Sequence, residues 1–179
     1  YFSAGKLAWL VQNNPEIASA AGEGRILCGT IDSWLIWNLT DGKVHATDYS
    51  NACRTMLFNI HDLTFDAELK DIFLVSDFIF PEPKPSNSRF GETILPGTSQ
   101  SVPISGVAGD SHAALFGQCC FRRGTAKTTY GTGSSIMMNI GDRPLDPPEG
   151  IVLSIGWGND EEVIYVFEGN IHSTGDTIR

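Results

Sequence analysis

An aspartate stands where the chain changes character. The apolar run Pro103-Ile-Ser-Gly-Val-Ala-Gly109 reads as a buried strand and ends at Asp110, and Ser111-His-Ala-Ala-Leu-Phe-Gly-Gln118 reads as a helix. The mouth between a strand and a helix is where an α/β enzyme places its chemistry, and a carboxylate there is a candidate for it. The bland alternative is a helix cap, with the Asp110 oxygen accepting free amides of the first turn. Further on, Gly131-Thr132-Gly133-Ser134 separates two strand-like runs. Such a turn can offer bare backbone amides to phosphate, or it can be an ordinary glycine-rich hairpin. By themselves these features support only a soluble α/β domain with a capped helix and a glycine hairpin. No Gly-x-x-x-x-Gly-Lys-Ser/Thr loop is present, which excludes a P-loop from these residues.

The rest of the composition narrows the classes. A length of 179 residues suits one domain, and a formal charge of −9 argues against a nucleic-acid surface or an anionic membrane surface. Cys28, Cys53, Cys119 and Cys120 show no Cys-x-x-Cys spacing, so reduced thiols and a cytoplasmic setting are expected. No apolar run approaches the roughly 20 residues of a membrane span. His45 and His61 lie in unrelated segments, and His172 with Asp176 is a pair at helical spacing without a third ligand, so no metal site is expected.

The elements that must position these residues follow from apolar spacing. Leu7, Leu10 and Val11 line one face of a helix that Ser3 can cap, and Asn14-Pro15 starts a second helix that ends at Gly22. A short strand is predicted over 25–28, then a helix capped by Asp32 through Leu39, with Trp34 and Trp37 as packing residues. The polar stretch from position 47 reads as a loop leading into a short strand or turn at Met56-Leu-Phe58. A helix is predicted over 62–74, with Asp66 or Thr64 near its start, and Pro81-Glu-Pro-Lys-Pro85 reads as a rigid extended linker. Strands are predicted over 104–107, 125–129, 135–140, 151–156 and 163–167, and a new helix after Ser173. A helix between the first of these strands and a following meander gives an α/β fold, a mixed sheet with packed helices.

Five ordered segments carry a resemblance: Tyr1-Phe-Ser-Ala-Gly-Lys6, Gly29-Thr-Ile-Asp-Ser-Trp-Leu-Ile-Trp37, Thr47-Asp-Tyr-Ser-Asn-Ala-Cys-Arg-Thr-Met-Leu-Phe-Asn-Ile-His61, Gly109-Asp-Ser-His-Ala-Ala-Leu-Phe-Gly-Gln118 and Thr129-Tyr-Gly-Thr-Gly133. The chain resembles the glycerol-kinase-like members of the FGGY carbohydrate kinase family. The resemblance implies part of an actin-like, ribonuclease-H-like kinase domain. Residues 1–179 would be a partial N-terminal domain, without its first strands or the whole C-terminal domain, and inactive alone. It further implies ATP with Mg2+, a small-molecule polyol or sugar as acceptor, a homo-oligomer in the full-length protein, no nucleic acid and no membrane span.

By the same resemblance Asp110 is the general base, Tyr1, Asp110, Ser111 and Ser135 bind the acceptor, and Gly131 and Thr132 touch the nucleotide. Asp48 and Arg54 are read as an internal polar network or interface feature. The chain departs from the family pattern at Ala4-Gly5, at Ser111 and His112 where glutamines are usual, at Ser135 where a phenylalanine is usual, and at Ser99-Gln100-Ser101 where an arginine-containing anion site is usual. Serines at 111 and 135 leave a roomier, more polar pocket, which points to an acceptor longer than glycerol: a tetritol, pentitol or ketopentose. The alternative is an actin-like module that binds nucleotide or a partner without catalysis.

Overall fold

A computed structural model describes residues 2–178, with positions 176 and 178 described by their backbone only. The first apolar pattern folds as α1 (Ser3–Asn13). The Asn14 side chain then caps α2 (Pro15–Gly22), accepting the amides of Glu16 and Ile17 at 3.1 and 3.2 Å. The expected strand at 25–28 shrinks to one parallel bridge, Leu27 to Ile79. Helix α3 (Ile31–Leu39) starts after Thr30, so Asp32 is not its cap. It is a buried first-turn carboxylate that accepts the hydroxyls of Thr30 and Thr47.

The polar stretch expected as a loop is ordered by one residue. Asp48 closes β1 (Ala46–Asp48) and caps the single helical turn α4 (Tyr49–Ala52). Fully buried, it accepts the amides of Ser50 and Asn51 at 3.1 and 3.0 Å, and the side chains of Ser50, Asn51 and Ser86 at 3.0, 2.7 and 2.7 Å. Burial pushes its carboxyl up, and these donors oppose the shift. A hairpin of β2 (Phe58–Asn59) and β3 (Thr64–Phe65) follows, then α5 (Ala67–Ile72), which Asp66 caps through the Leu69 amide at 3.0 Å. The helix therefore starts later than position 62.

The proline-rich linker is a strand, β4 (Glu82–Lys84), paired in parallel with β1 alone. A two-stranded edge tolerates the missing amide of Pro83. Strands β5 (Glu92–Ile94) and β6 (Ser101–Pro103) form a hairpin. The strand expected at 104–107 does not form. Ile104 and Val107 instead pack on the core of Ile36, Ala46 and Phe90, while their amides make single bonds to Gly91 and Ser86, both at 2.9 Å.

Helix α6 (Asp110–Gly117) leads to the main sheet, made of β7 (Ala126–Tyr130), β8 (Ser134–Gly141), β9 (Val152–Gly158) and β10 (Val163–Ile171). Its order is β7-β8-β10-β9 and its pairs are antiparallel, so parallel and antiparallel pairing coexist in the chain. Leu115 of α6 packs on Met137, Trp157 and Val166, while Ala52 of α4 packs in a second core with Ile140, Ile155 and Tyr165. Burying a leucine such as Leu115 is worth roughly 1.5–3 kcal/mol and fixes α6 over the sheet. The last described element is a 3-10 turn, Gly175–Ile178, where a helix was expected. Among the described residues no helix is long and apolar enough to cross a membrane.

Candidate active site

The residue before Asp110 caps α6. Gly109, extended at φ −61° and ψ 147°, is the N-cap, and no side chain bonds the first turn from that position. The cap reading of Asp110 is thereby corrected, because the extended approach ends one residue earlier, at Gly109, and makes Asp110 the first helical residue. Its Oδ1 accepts the neighbouring Ser111 amide at 2.7 Å. Gly109 is required for a steric reason: a Cβ there would lie 2.7 Å from Nδ1 of His112, whose ring folds back over the helix start. Its amide donates to the Ser50 hydroxyl at 2.9 Å, which ties the start of α6 to the Asp48 network.

Asp110, Ser111 and His112 form one wall of a cleft of about 660 Å³, with Asp32, Arg54, Met137 and Glu168 opposite or beneath them. Strand register builds the floor. Met137 pairs with Lys127 on one side and Glu168 on the other, so Lys127, Met137 and Glu168 form a row across three strands. Arg54 holds Glu168 through Nη1 to Oε2 at 2.5 Å and lies over the Phe2 ring at 5.1 Å. The Arg54 reading as part of an internal polar network is met here. Lys127 is 1% exposed, and its Nζ donates to the Thr129 hydroxyl at 2.8 Å.

His112 is 4% exposed, and neither ring nitrogen has a hydrogen-bond partner. Burial first, then the charges of Arg54 and Lys127, push its pKa down to about 4, with Asp110 opposing, so the ring is neutral at pH 7. Burial also pulls the Lys127 amine down, against the carboxylates of Glu168 and Asp110.

Ser111 lines the cleft beside Asp110. Ser135 pairs with Thr129 and Asn170, two residues along β8 from Met137, and its hydroxyl is buried without a partner. It is not part of the cleft wall. Tyr1 lies outside the described residues.

The turn at Gly131 and Thr132 is clasped by the chain leaving β10. The Thr174 amide donates to the Thr132 carbonyl at 2.8 Å, the Gly175 amide to the Gly131 carbonyl at 3.1 Å, and the Ser134 and Thr174 hydroxyls meet at 2.8 Å. The Gly131 amide bonds the Gly133 carbonyl at 2.8 Å and is not bare; the Thr132 amide makes no bond within the turn. A Cβ on Gly175 would stand 2.6 Å from the Gly131 carbonyl oxygen.

Sequence reading missed Lys127, Glu168, Thr174 and Gly175. Alternation along β7 places Lys127 and Thr129 on one face, a signal that was available. Nothing local marks Glu168, whose role comes from pairing with residues far away in the chain.

Residues 1–117 match the N-terminal domain of the FGGY family of carbohydrate kinases. The chain belongs to this family. Among FGGY relatives, glycerol kinase 1 of Thermotoga maritima is 54% identical over 178 residues, 99% of this chain and 36% of its own length. The glycerol kinase of Francisella tularensis subsp. holarctica is 49% identical, over 100% of this chain and 36% of its own length. The crystal structure of Plasmodium falciparum glycerol kinase with ADP superposes with a TM-score of 0.93 at 36% identity, covering 99% of this chain and 36% of that one. A xyloylose kinase from Brucella ovis shares the fold, with a TM-score of 0.82 at 20% identity over 99% of this chain and 36% of its own. The FGGY chain described here thus spans 36% of the length of these relatives.

Proposed function

We propose that these residues are a partial N-terminal domain of a longer ATP-dependent kinase that phosphorylates a hydroxyl of a polyol or sugar, glycerol or a longer relative. The observation that carries the reading is the exposed Asp110 carboxylate on the cleft wall, with one oxygen held by the Ser111 amide and the other without a hydrogen bond. In the reaction the acceptor oxygen forms a bond to the γ-phosphorus and the bond from that phosphorus to the β,γ-bridging oxygen breaks. The acceptor proton passes to Asp110, and ADP leaves. Asp110 works as much by orienting the hydroxyl as by basicity, because the transition state is loose. Thr132 and the Gly131 turn are assigned to the nucleotide, a reading supported by the ADP bound to the Plasmodium relative.

The charges on the cleft wall favour a neutral acceptor. Asp32, Asp110 and Glu168 line it against the single guanidinium of Arg54, so a carboxylate-bearing substrate would meet net repulsion. Ser111, with Tyr1, is assigned to the acceptor, and its small side chain on the cleft wall favours one longer than glycerol; the assignment of Ser135, which lies off that wall, rests on the resemblance alone. Magnesium fits as an ion carried by the nucleotide. Among the described residues no three His, Cys, Asp or Glu side chains cluster, and Asp32 and Glu168 are already engaged by Thr30, Thr47, Arg54 and Asn170. Phosphates and water would hold most of it, and the ion would offset phosphate charge. A cytoplasmic homo-oligomer completes the proposal.

The test is ATP consumption by the full-length enzyme over glycerol, a tetritol, a pentitol and a ketopentose. Transfer to at least one, with higher kcat/KM for a longer member, is expected. ATP binding without transfer to any would replace the kinase by a non-catalytic nucleotide-binding module, and a clear preference for glycerol would remove the longer acceptor.

A further inference from the structure

Trp34 and Trp37, read from the sequence as packing residues, are 60% and 36% exposed. They stand on one face of α3 with Ser33 and Asn38, at the i, i+3, i+4 spacing of a single helix stripe. That face is one wall of a second cleft of about 580 Å³, and its far wall is Leu7 and Leu10 of α1, Ile17 of α2 and Phe78. The other face of α3, with Asp32 and Leu35, borders the Asp110 cleft, so the helix separates the two spaces. Trp37 is wedged in place. Its ring meets His45 edge-on at 6.1 Å and 87°, and a Cβ on Gly42 would stand 3.1 Å from the indole.

Two properties define what this second cleft can hold. Among the described residues that line it, none is Asp, Glu, Lys or Arg, and burial keeps its two titratable groups uncharged. The Cys28 thiol is pushed up to about 12, and the His45 imidazole is pushed down. The second property is an uncommitted hydroxyl. Ser33 is 2% exposed and its Oγ has no hydrogen-bond partner. The neighbouring polar groups are engaged: the Thr30 hydroxyl donates to Asp32, the Asn38 amide to the Trp34 carbonyl, and His45 bonds the Cys28 carbonyl. A buried hydroxyl without a partner is uncommon in a folded protein, and a ligand that brings one is a reason for it. Gly29, which lines the same cleft, leaves that hydroxyl uncovered, because a Cβ there would lie 2.8 Å from the Ser33 oxygen.

We propose that this second cleft is a binding site for an uncharged aromatic compound carrying one hydroxyl, with the ring between the indoles and the leucine wall and the hydroxyl bonded to Ser33. A flat ring meets Trp34 and Trp37 by offset stacking or edge-on contact. The ligand hydroxyl, both donor and acceptor, supplies the partner that Ser33 lacks. A charged group would enter an apolar space that offers no counter-charge. The volume is that of a small-molecule pocket. The site takes no part in phosphoryl transfer and stands independently of the kinase reading.

The experiment is calorimetric titration of the full-length protein with 4-ethylphenol, ethylbenzene and 4-ethylbenzoate, for wild type, Ser33→Ala and Trp34→Ala. Wild type should bind 4-ethylphenol saturably, ethylbenzene roughly 5–10-fold more weakly for want of the hydrogen bond, and the benzoate more weakly still. Ser33→Ala should bring 4-ethylphenol down to the affinity of ethylbenzene and leave ethylbenzene unchanged, a pattern that general damage to the fold does not produce. Trp34→Ala, a change at an exposed position, should weaken both severalfold. Ser33→Ala removes a hydroxyl that bonds nothing, so it should fold as wild type does and keeps the test open if Trp34→Ala does not. Three results would each overturn the proposal: no saturable binding of 4-ethylphenol by the folded full-length protein, an affinity for it unmoved by Ser33→Ala, or a benzoate that binds as tightly as the phenol. A cleft covered by the rest of a longer chain, or by a second copy, gives the first of these.

Discussion

Replacing His112 by phenylalanine should flatten the acid side of the stability profile. The wild-type ring is neutral in the folded protein because its pKa falls from 6.5 to about 4, chiefly through burial and secondarily through Arg54 and Lys127. Between those values the unfolded chain binds a proton that the folded protein refuses, so stability falls as pH falls. The full window is worth about 3 kcal/mol, of which roughly 2 kcal/mol is lost on going from neutral pH to about pH 5.

Phenylalanine keeps the ring volume and removes both unpartnered nitrogens, whose unmet hydrogen bonds cost about 1–3 kcal/mol. The variant should therefore be at least as stable as wild type at pH 8 and should lack the extra loss at pH 5. Urea unfolding of both proteins at the two pH values measures it. Parallel pH dependences, with the same loss in the variant, would refute the claim that His112 is a buried neutral imidazole.

Two further perturbations act through different parts of the site. Gly175→Ala places a Cβ within 2.6 Å of the Gly131 carbonyl and should displace the turn. KM for ATP should rise severalfold with KM for the acceptor unchanged, as steady-state titration of each substrate would show. Arg54→Met strands the Glu168 carboxylate, which is 5% exposed, and should cost roughly 3–5 kcal/mol in urea unfolding. The double variant with Glu168→Leu should recover much of that loss, because both charges are then gone.

The sequence shows the local parts of this fold clearly. The spacing of Leu7, Leu10 and Val11, the Asn14-Pro15 cap and the alternation through the last strands each mark an element through neighbouring residues. Among the expectations that failed, two show distant partners deciding. The polar stretch after Thr47 becomes strand and helix because buried Asp48 gathers its donors, one of them from Ser86. Ile104 and Val107 look like alternating strand residues but serve a small core around Phe90. At the site, Asp110 was legible from its place between two kinds of segment, although its cap role passed to Gly109. The row of Lys127, Met137 and Glu168 was not, because it exists only once three strands are in register.

The central claim is that Asp110 receives the acceptor proton, and the most direct measurement is kcat for full-length Asp110→Asn beside wild type, with ATP binding followed in parallel. Asparagine keeps the shape and removes the base. A fall in kcat of roughly 10²–10⁴-fold with ATP affinity preserved is the result predicted. Turnover near that of wild type would contradict the claim.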